Sequence, residues 1–227
     1  MTPTASSFEA AKAAIPASLR NYSGKVFYAG RSAYNSPAAM YILGVNPGGD
    51  PDTRQDETVA SHTEWVATTA PEGWSAYRDE SWKGKPPGRH GMQPRILHMF
   101  KAVALSPGAV PASNLVFVRS RRESDIAVDI DRLVGECWPF HKYVIETLRP
   151  KVVLCLGKTA GDHVLARVGA HSRYATFTES NSRKWQSHAY RTVSGLKVVV
   201  ATHPSIADWS TPASDPTPII ADALHDA

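Results

Sequence analysis

Two short loops carry the side chains in this sequence that are best suited to bond-breaking chemistry. Asn46 lies in the run GVNPGGD at 44–50, and His203 lies in the run ATHPS at 201–205. The Asn46 amide can orient a water molecule or a base edge, and an imidazole such as that of His203 can donate a hydrogen bond to a departing anion. A plain tight turn and a structural histidine are the simpler interpretations of the same residues.

Four apolar, β-rich runs indicate the strands that position these loops. Each of the two loops directly follows one such run, and ligands of open parallel sheets bind at the carboxyl ends of the strands. Segments with helical spacing separate the runs, which favours an α/β fold in three layers, α/β/α, around a central four-stranded, mainly parallel sheet. The four runs are 39–45, 114–118, 151–156 and 196–201.

Helical spacing and helix-terminating residues predict four helices. Ser6 and Glu9 form a capping-box pattern at the first of them, and Pro139 is expected to kink the third. The predicted helices are 1–20 at the N-terminus, 92–105, 130–148 and a segment that opens at Thr159 after Gly157.

The segment 50–91 is predicted to be a long loop inserted into a single domain that spans 1–227. Asp, Thr, Pro and Gly accumulate there around four aromatic residues. Long loops in compact domains are usually functional, but aromatic rings can equally well cap the hydrophobic core. Both interpretations stay open for these rings, which are Trp65, Trp74, Tyr77 and Trp82.

Composition sets the broad class of the protein. Apolar residues make up 42% of the 227 residues and charged residues 20%, as in an ordinary globular protein, and no apolar stretch is long enough to span a membrane. The formal charge of +4 is compatible with a polyanionic partner. Two cysteines without a CxxC motif exclude a thiolate metal site. We expect a cytoplasmic monomer without a metal or organic cofactor.

The two loops resemble the active-site loops of the uracil-DNA glycosylase superfamily. Three further segments resemble the same superfamily, especially its iron–sulfur branch, so that the similarity runs from about 40 to 210. These segments are GRHGMQPRILHMF at 88–100, NLVFVR at 114–119 and ECWPFHKYVIETLRPKVVLCLGKTAGDHVL at 136–165.

The resemblance implies hydrolysis of the N-glycosidic bond of uracil, or of a related deaminated base, in DNA. Asn46 falls where members of the superfamily position the hydrolytic water, and His203 falls where the base receives a hydrogen bond. Asn114 matches the side chain that pairs with the Watson–Crick edge of the base. Other implied substrate-binding residues are Gly44, Val45, Pro47, Gly48, Trp82 and Ser205.

The resemblance also implies contacts with the DNA around the target base. Such enzymes extract the nucleotide from the duplex, and Ile206 or Trp209 is the candidate for the apolar wedge that fills the gap. Ordinary packing is the alternative for either residue. Arg119, Arg121 and Lys158 are candidate phosphate contacts, although a charged run often forms a solvated surface.

The sequence mixes features of two branches of the superfamily and departs from its pattern elsewhere. Val45 and Asn46 stand where the iron–sulfur branch has Glu and Ala, so the first loop resembles that of the mismatch-specific and single-strand-selective branches. Val118 stands where the iron–sulfur branch has a cysteine and only Cys137 falls at a ligand position, so we expect no cluster. Gly48 replaces the bulky ring that excludes thymine in the most uracil-selective members. No aromatic residue clearly matches the one that stacks on the extruded base, and Trp82, Trp74 or Tyr77 is the expected substitute.

Three other function classes are weighed against a glycosylase. A P-loop ATPase is excluded because Val152 stands five positions before Gly157, where the P-loop requires a glycine. A zinc deaminase needs an HxE motif together with PCxxC, and this pair does not occur. A module of the same fold that binds nucleic acid or a nucleotide without cleaving it remains the alternative.

Overall fold

A computed structural model describes residues 7–35 and 37–225, and a mixed sheet forms its centre. The sheet has six strands in the order β2-β1-β3-β6-β5-β4. Strands β2, β1, β3 and β6 run parallel to one another, while β5 is antiparallel to β6 and β4 is antiparallel to β5. The strands are β1 (Met40–Gly44), β2 (Ala112–Asn114), β3 (Val152–Leu156), β4 (Ser172–Thr178), β5 (Gln186–Arg191) and β6 (Lys197–Ala201).

The prediction of a four-stranded sheet is wrong, because a hairpin of β4 and β5 extends the sheet beyond β6. Residues in β4 are mostly exposed, so this strand lacks the continuous apolar run by which the buried strands were predicted. The run 114–118 is also misplaced as a strand, since β2 ends at Asn114. After Asn114 the buried chain continues alongside the end of β1 and the residue after it, and it is joined to them by single hydrogen bonds. A buried apolar run in the sequence looks the same whether it forms a strand or this irregular segment.

Helices cover both faces of the sheet. The predicted helices 92–105, 130–148 and the one after Gly157 are confirmed as α4, α5 and α6, although α4 ends at Ala102 and α6 opens at Lys158. The N-terminal helix is shorter than the predicted 1–20, and Ser6 of its expected capping box lies outside the described residues. The helices are α1 (Ser7–Ala13), α2 (Val59–Thr68), α3 (Ala76–Asp79), α4 (Gln93–Ala102), α5 (Ile130–Leu148), α6 (Lys158–Val168) and α7 (Thr217–His225).

Contacts through the sheet show which helices share a face. The Tyr41 hydroxyl is 2.8 Å from Nδ1 of His141 in α5, and Gly161 of α6 lies against the Val200 side chain with no room for a Cβ. Strand register places Tyr41 and Val200 on the same face. Lys197 lies on the other face and donates to a backbone carbonyl of α7 at 3.0 Å. The sheet is therefore sandwiched between α5 and α6 on one side and α7 on the other.

The prediction of an irregular loop at 50–91 is wrong in part, because α2 and α3 lie within it. Trp74 and Tyr77 are buried in the hydrophobic core, which confirms for them the interpretation that these rings cap the core. Trp74 forms an edge contact with Trp65 at a centroid distance of 5.0 Å. The hydrophobic pattern missed α2 because its buried positions include polar residues such as His62 and Thr63.

Two absences hold for the described part of the chain. None of its helices is long and apolar enough to cross a membrane. Across the same residues, no group of three or more His, Cys, Asp or Glu side chains is placed to hold a metal ion. Cys137 and Cys155 are buried and free, and burial raises the pKa of the Cys137 thiol to about 12.

Candidate active site

The two candidate loops lie at the same edge of the sheet. Gly44 is level with Asn114 in the strand register, and Leu156 is level with Ala201. The loop at 44–50 therefore leaves β1 at the edge where the loop at 201–205 leaves β6. Val45 and His203 both line a cleft of about 760 Å³.

His203 is held as a neutral imidazole with a defined tautomer. The backbone N–H of Ser205 donates to Nδ1 at 3.1 Å, and the Ser205 hydroxyl lies 2.7 Å from the same nitrogen. Because a backbone N–H can only donate, the proton of the neutral ring is on Nε2. Burial lowers the pKa of His203, and Glu123 opposes this effect. The ring therefore offers an Nε2–H donor without carrying a charge.

Asn46 is held so that its oxygen remains available. Its Nδ2 donates to the Ser120 hydroxyl at 2.8 Å, to the Pro47 carbonyl at 3.1 Å and to the Val118 carbonyl at 3.3 Å. Two carbonyl acceptors determine which amide atom is the nitrogen. No hydrogen bond to Oδ1 forms within the described residues, so this oxygen can accept one from a bound water. Val45, and not Asn46 itself, is the residue of this loop that lines the cleft.

Asn114 presents an unsatisfied donor at the end of β2. The residue is buried, and its Nδ2 has no hydrogen-bond partner in the described chain. It lies beside the hydroxyl of Tyr28, whose pKa is raised by burial, an effect that Asn114 opposes. A buried amide without a partner costs roughly 1–3 kcal/mol, which a ligand carbonyl would recover. Asn114 is therefore suited to binding a carbonyl group.

Gly44 makes room for Asn114. A Cβ at Gly44 would overlap Oδ1 of Asn114, whereas a Cβ at Gly48 would meet nothing within 4 Å. We expect Gly44→Ala to displace the Asn114 side chain. For the cleavage of uracil-containing DNA that the family resemblance implies, kcat/KM should fall roughly 100-fold, since small misplacements of a substrate-positioning group have effects of this size. Gly135→Ala on α5, where a Cβ would also meet nothing within 4 Å, is the matched control away from the site and should change kcat/KM little. Equal activity of the two variants would contradict a role for Asn114 in binding the base.

The apolar wedge candidates differ in exposure. Trp209 is fully buried, and its indole N–H donates to the Thr202 carbonyl at 3.0 Å. This environment is wrong for a wedge, because the ring is already packed in the core and its donor is satisfied. Ile206 is 58% exposed and lines the cleft. Ile206 thus remains as the candidate of the two.

Arg119 is buried beneath the first loop, so the prediction that it contacts phosphate is not supported. Its guanidinium donates to the Gly48 carbonyl at 2.7 Å, to the Ser23 hydroxyl at 3.1 Å and to the Glu57 carboxylate. The guanidinium donors are therefore satisfied by acceptors within the protein and do not face a DNA phosphate. Arg119 supports the loop that carries Asn46.

This arrangement predicts a stability effect for Arg119→Ala. Removing the guanidinium leaves the Gly48 carbonyl and the Ser23 hydroxyl without their donor, whereas Glu57 still pairs with Lys25 and Arg54. We therefore expect a loss of roughly 1–3 kcal/mol in the free energy of unfolding, the cost of leaving buried acceptors unsatisfied. Arg121→Ala should leave the free energy of unfolding nearly unchanged, because Arg121 is exposed and its partners Asp50 and Asp52 are partly and largely exposed. Urea denaturation of both variants measures the difference. A larger loss for Arg121→Ala would contradict the assignment.

The remaining predicted residues divide between the cleft and its surroundings. Lys158 is exposed, lines the cleft and pairs with Asp162. Ser205 also lines the cleft. Pro47 is buried, and its carbonyl accepts from Ser120 N–H at 3.2 Å. Trp82 packs on Tyr77 at a centroid distance of 6.1 Å and is not among the residues that line the cleft.

The hairpin supplies cleft residues that sequence reasoning missed. Trp185, Gln186, His188 and Tyr190 line the cleft together with His203. The available signal was an aromatic residue in the polar run ESNSRKWQSH, between two segments with strand-like alternation. Without the antiparallel pairing to β6, nothing in the sequence places this run beside the loop at 201–205.

Comparison with known protein families gives a match over most of the chain. The model of the uracil DNA glycosylase superfamily matches residues 32–217, a span that includes both candidate loops and every strand of the sheet. No curated protein matches the chain.

Proposed function

Because this chain belongs to the uracil-DNA glycosylase superfamily, whose members are DNA glycosylases, we propose that it hydrolyses the N-glycosidic bond of uracil or a related deaminated base in DNA. The observation that carries the proposal is the state of His203, whose Nδ1 accepts a backbone N–H and whose proton is therefore on Nε2. An uncharged donor at the end of β6 fits a leaving base that becomes an anion.

The proposed mechanism divides the charge that develops in the transition state between two groups. Cleavage makes the sugar positive and the base negative as the bond lengthens. The Oδ1 of Asn46 accepts from a water and directs its lone pair to the sugar, while Nε2–H of His203 donates to a carbonyl of the departing base. The water oxygen bonds to the sugar carbon as the N-glycosidic bond breaks, the bonding electron pair leaves with the base, and the proton released by the water neutralises the base anion through solvent. None of these proposed steps uses a metal or an organic cofactor.

Asn114 is proposed to select the base. Its Nδ2, which has no partner in the described chain, donates to a uracil carbonyl, and its Oδ1 accepts from the ring N–H. Cytosine presents an amino group where uracil presents the carbonyl, so two donors would face each other and binding would weaken. Gly48 adds no side chain beside the site, so the methyl group of thymine is not excluded there.

DNA binding is proposed to use Ile206 as the wedge and Lys158 and Arg121 as exposed cations near the site. Ile206 is exposed on the loop that follows His203, where an apolar side chain can enter the gap left by an extracted nucleotide. Both cations already pair with carboxylates, so a phosphate would have to compete with Asp162, Asp50 or Asp52.

The test is a cleavage assay on defined oligonucleotides. Single-stranded uracil, U:G, U:A, T:G and hypoxanthine substrates are incubated with the protein, and abasic sites are revealed by alkali. We expect strand cleavage after alkali on at least one uracil substrate. Binding of these oligonucleotides in a gel shift with no abasic sites after long incubation would reject the glycosylase and favour the non-catalytic binding module.

A further inference from the structure

The hairpin of β4 and β5 has one covered face and one open face. The helix α7 packs against both strands, and on that side Ser187 and Ala189 are buried. On the other side α6 packs against β3 and β6, and the side chains of the hairpin remain exposed or half-buried. Strand register puts six of them on this open hairpin face, namely Arg173, Thr176, Thr178, Gln186, His188 and Tyr190.

The open hairpin face continues into the candidate active site. Tyr190 and His188 line the same cleft as His203, and the exposed Trp185 stands at its margin. Arg183 fastens the hairpin turn to the loop after β6. Its guanidinium lies 4.3 Å from the centre of the Trp185 ring and donates to the Ile206 carbonyl at 2.7 Å.

The charge of the hairpin is complementary to a polyanion. Between residues 172 and 191 the sequence has one acidic residue, Glu179, and four basic ones. Glu179 is buried and is bound by Arg183 and Asn181. Arg173 is exposed beside His188, and both burial and Arg173 lower the pKa of that histidine. Arg173 and Lys184 are thus exposed, whereas Arg183 is bound to the buried carboxylate and Arg191 is half-buried.

We propose that the open hairpin face binds single-stranded DNA adjacent to the target nucleotide. This inference rests on the proposed function, and it assigns a surface to the strand that flanks the reacting base. Exposed rings on a sheet can stack on unpaired bases, and hydroxyl, amide and guanidinium groups between them can contact the backbone. Tyr190 on this face and Trp185 next to it, just before β5, supply the rings, and Arg173 supplies the cation. In a duplex the bases are already stacked, so the rings gain little from it.

Fluorescence anisotropy with a labelled, mixed-sequence oligonucleotide that contains no uracil tests the surface without turnover. A length of roughly 12 nucleotides fits the site sizes of single-strand binding folds. We expect Trp185→Ala and Arg173→Glu each to weaken single-strand binding roughly fivefold or more, the lower limit for loss of one stacked base. Binding to the matching duplex should change much less.

Two control variants match these changes away from the hairpin. Trp65 on α2 is 38% exposed, as against 39% for Trp185, so Trp65→Ala removes a similar ring. Arg20→Glu reverses an exposed charge near the N-terminus. Both controls should bind single strands like the parent protein, and melting curves should show that all four variants are folded.

The possible outcomes separate this inference from the proposed function. Unchanged single-strand affinity in both hairpin variants would overturn the inference even if uracil is excised normally. If the hairpin variants lose as much affinity for duplex DNA as for the single strand, the preference for single strands is overturned. If an RNA of the same sequence binds more tightly than the DNA, the assignment of DNA as the ligand is overturned. Hairpin-dependent binding without any base excision would support the surface and reject the glycosylase.

Discussion

Replacing His203 by alanine is expected to lower kcat on the preferred uracil substrate roughly 10²–10³-fold, the effect of deleting one hydrogen-bond donor to a developing anion. The affinity for DNA should change little, because the donor stabilises charge that exists only in the transition state. Single-turnover cleavage measures the chemical step directly. The binding of an uncleavable substrate analogue measures the affinity.

The control for this variant is another accessible histidine. His98 on α4 is half-exposed and lies 2.8 Å from the Asp215 carboxylate, away from the cleft. His98→Ala should keep the parental kcat. Parental kcat in His203→Ala as well would remove the imidazole from the mechanism and, with it, the principal support for the proposed function.

The same histidine predicts the acid limb of the pH profile. Burial lowers the pKa of His203 from its ordinary value of 6.5, so the neutral ring persists at and somewhat below that pH. Protonation of Nδ1 at lower pH breaks the bond from Ser205 N–H and places a charge in the site. Activity should therefore be retained as the pH falls to 6.5 and decline below it. His203→Ala should lose this part of the profile and leave only residual activity.

Replacing Asn46 by alanine is expected to lower kcat roughly 100-fold, because the water would lose the acceptor that directs it at the sugar. The effect should appear in kcat and only weakly in KM, since Asn46 is proposed to contact the water and not the base. The measurement is a substrate titration on the preferred oligonucleotide. A change confined to KM would indicate that Asn46 binds the substrate and does not position the nucleophile.

Two further variants separate the amide oxygen from its support. Ser120→Ala removes the shortest hydrogen bond to Nδ2 but leaves the two carbonyl acceptors, so its kcat should fall much less than that of Asn46→Ala. In Asn46→Asp a carboxylate oxygen would face the carbonyls of Pro47 and Val118, and their repulsion should turn the side chain. This variant should therefore be less active than the parent protein, although a carboxylate is a stronger proton acceptor than an amide.

Much of the scaffold could be predicted from the sequence because it depends on local patterns. Continuous apolar runs indicate buried parallel strands, and Pro150 and Gly157 mark the boundaries of β3. The helix 130–148 was predicted with the bounds it has, since its apolar face repeats with helical period over many residues. The placement of both polar loops at one sheet edge follows from the same logic, because all parallel strands end on the same side.

The state of each candidate side chain depended on residues far away in the chain. Arginine and tryptophan are residue types that suit contact with DNA. The guanidinium of Arg119, however, is hydrogen-bonded to Glu57 and Gly48, and Trp209 is buried in the core. The hairpin escaped prediction because one face of each strand is polar and its position is set by pairing with β6.

The sequence by itself determined which residue types follow which strands, since hydrophobic period and chain order are local properties. Only the tertiary structure decided the tautomer of His203, the free oxygen of Asn46 and the unpaired amide of Asn114. Those properties depend on hydrogen-bond geometry and burial. Both are set by which backbone groups and apolar side chains the fold places next to each of these residues. The spacing of residues along the sequence specifies neither the hydrogen-bond geometry nor the burial of a side chain.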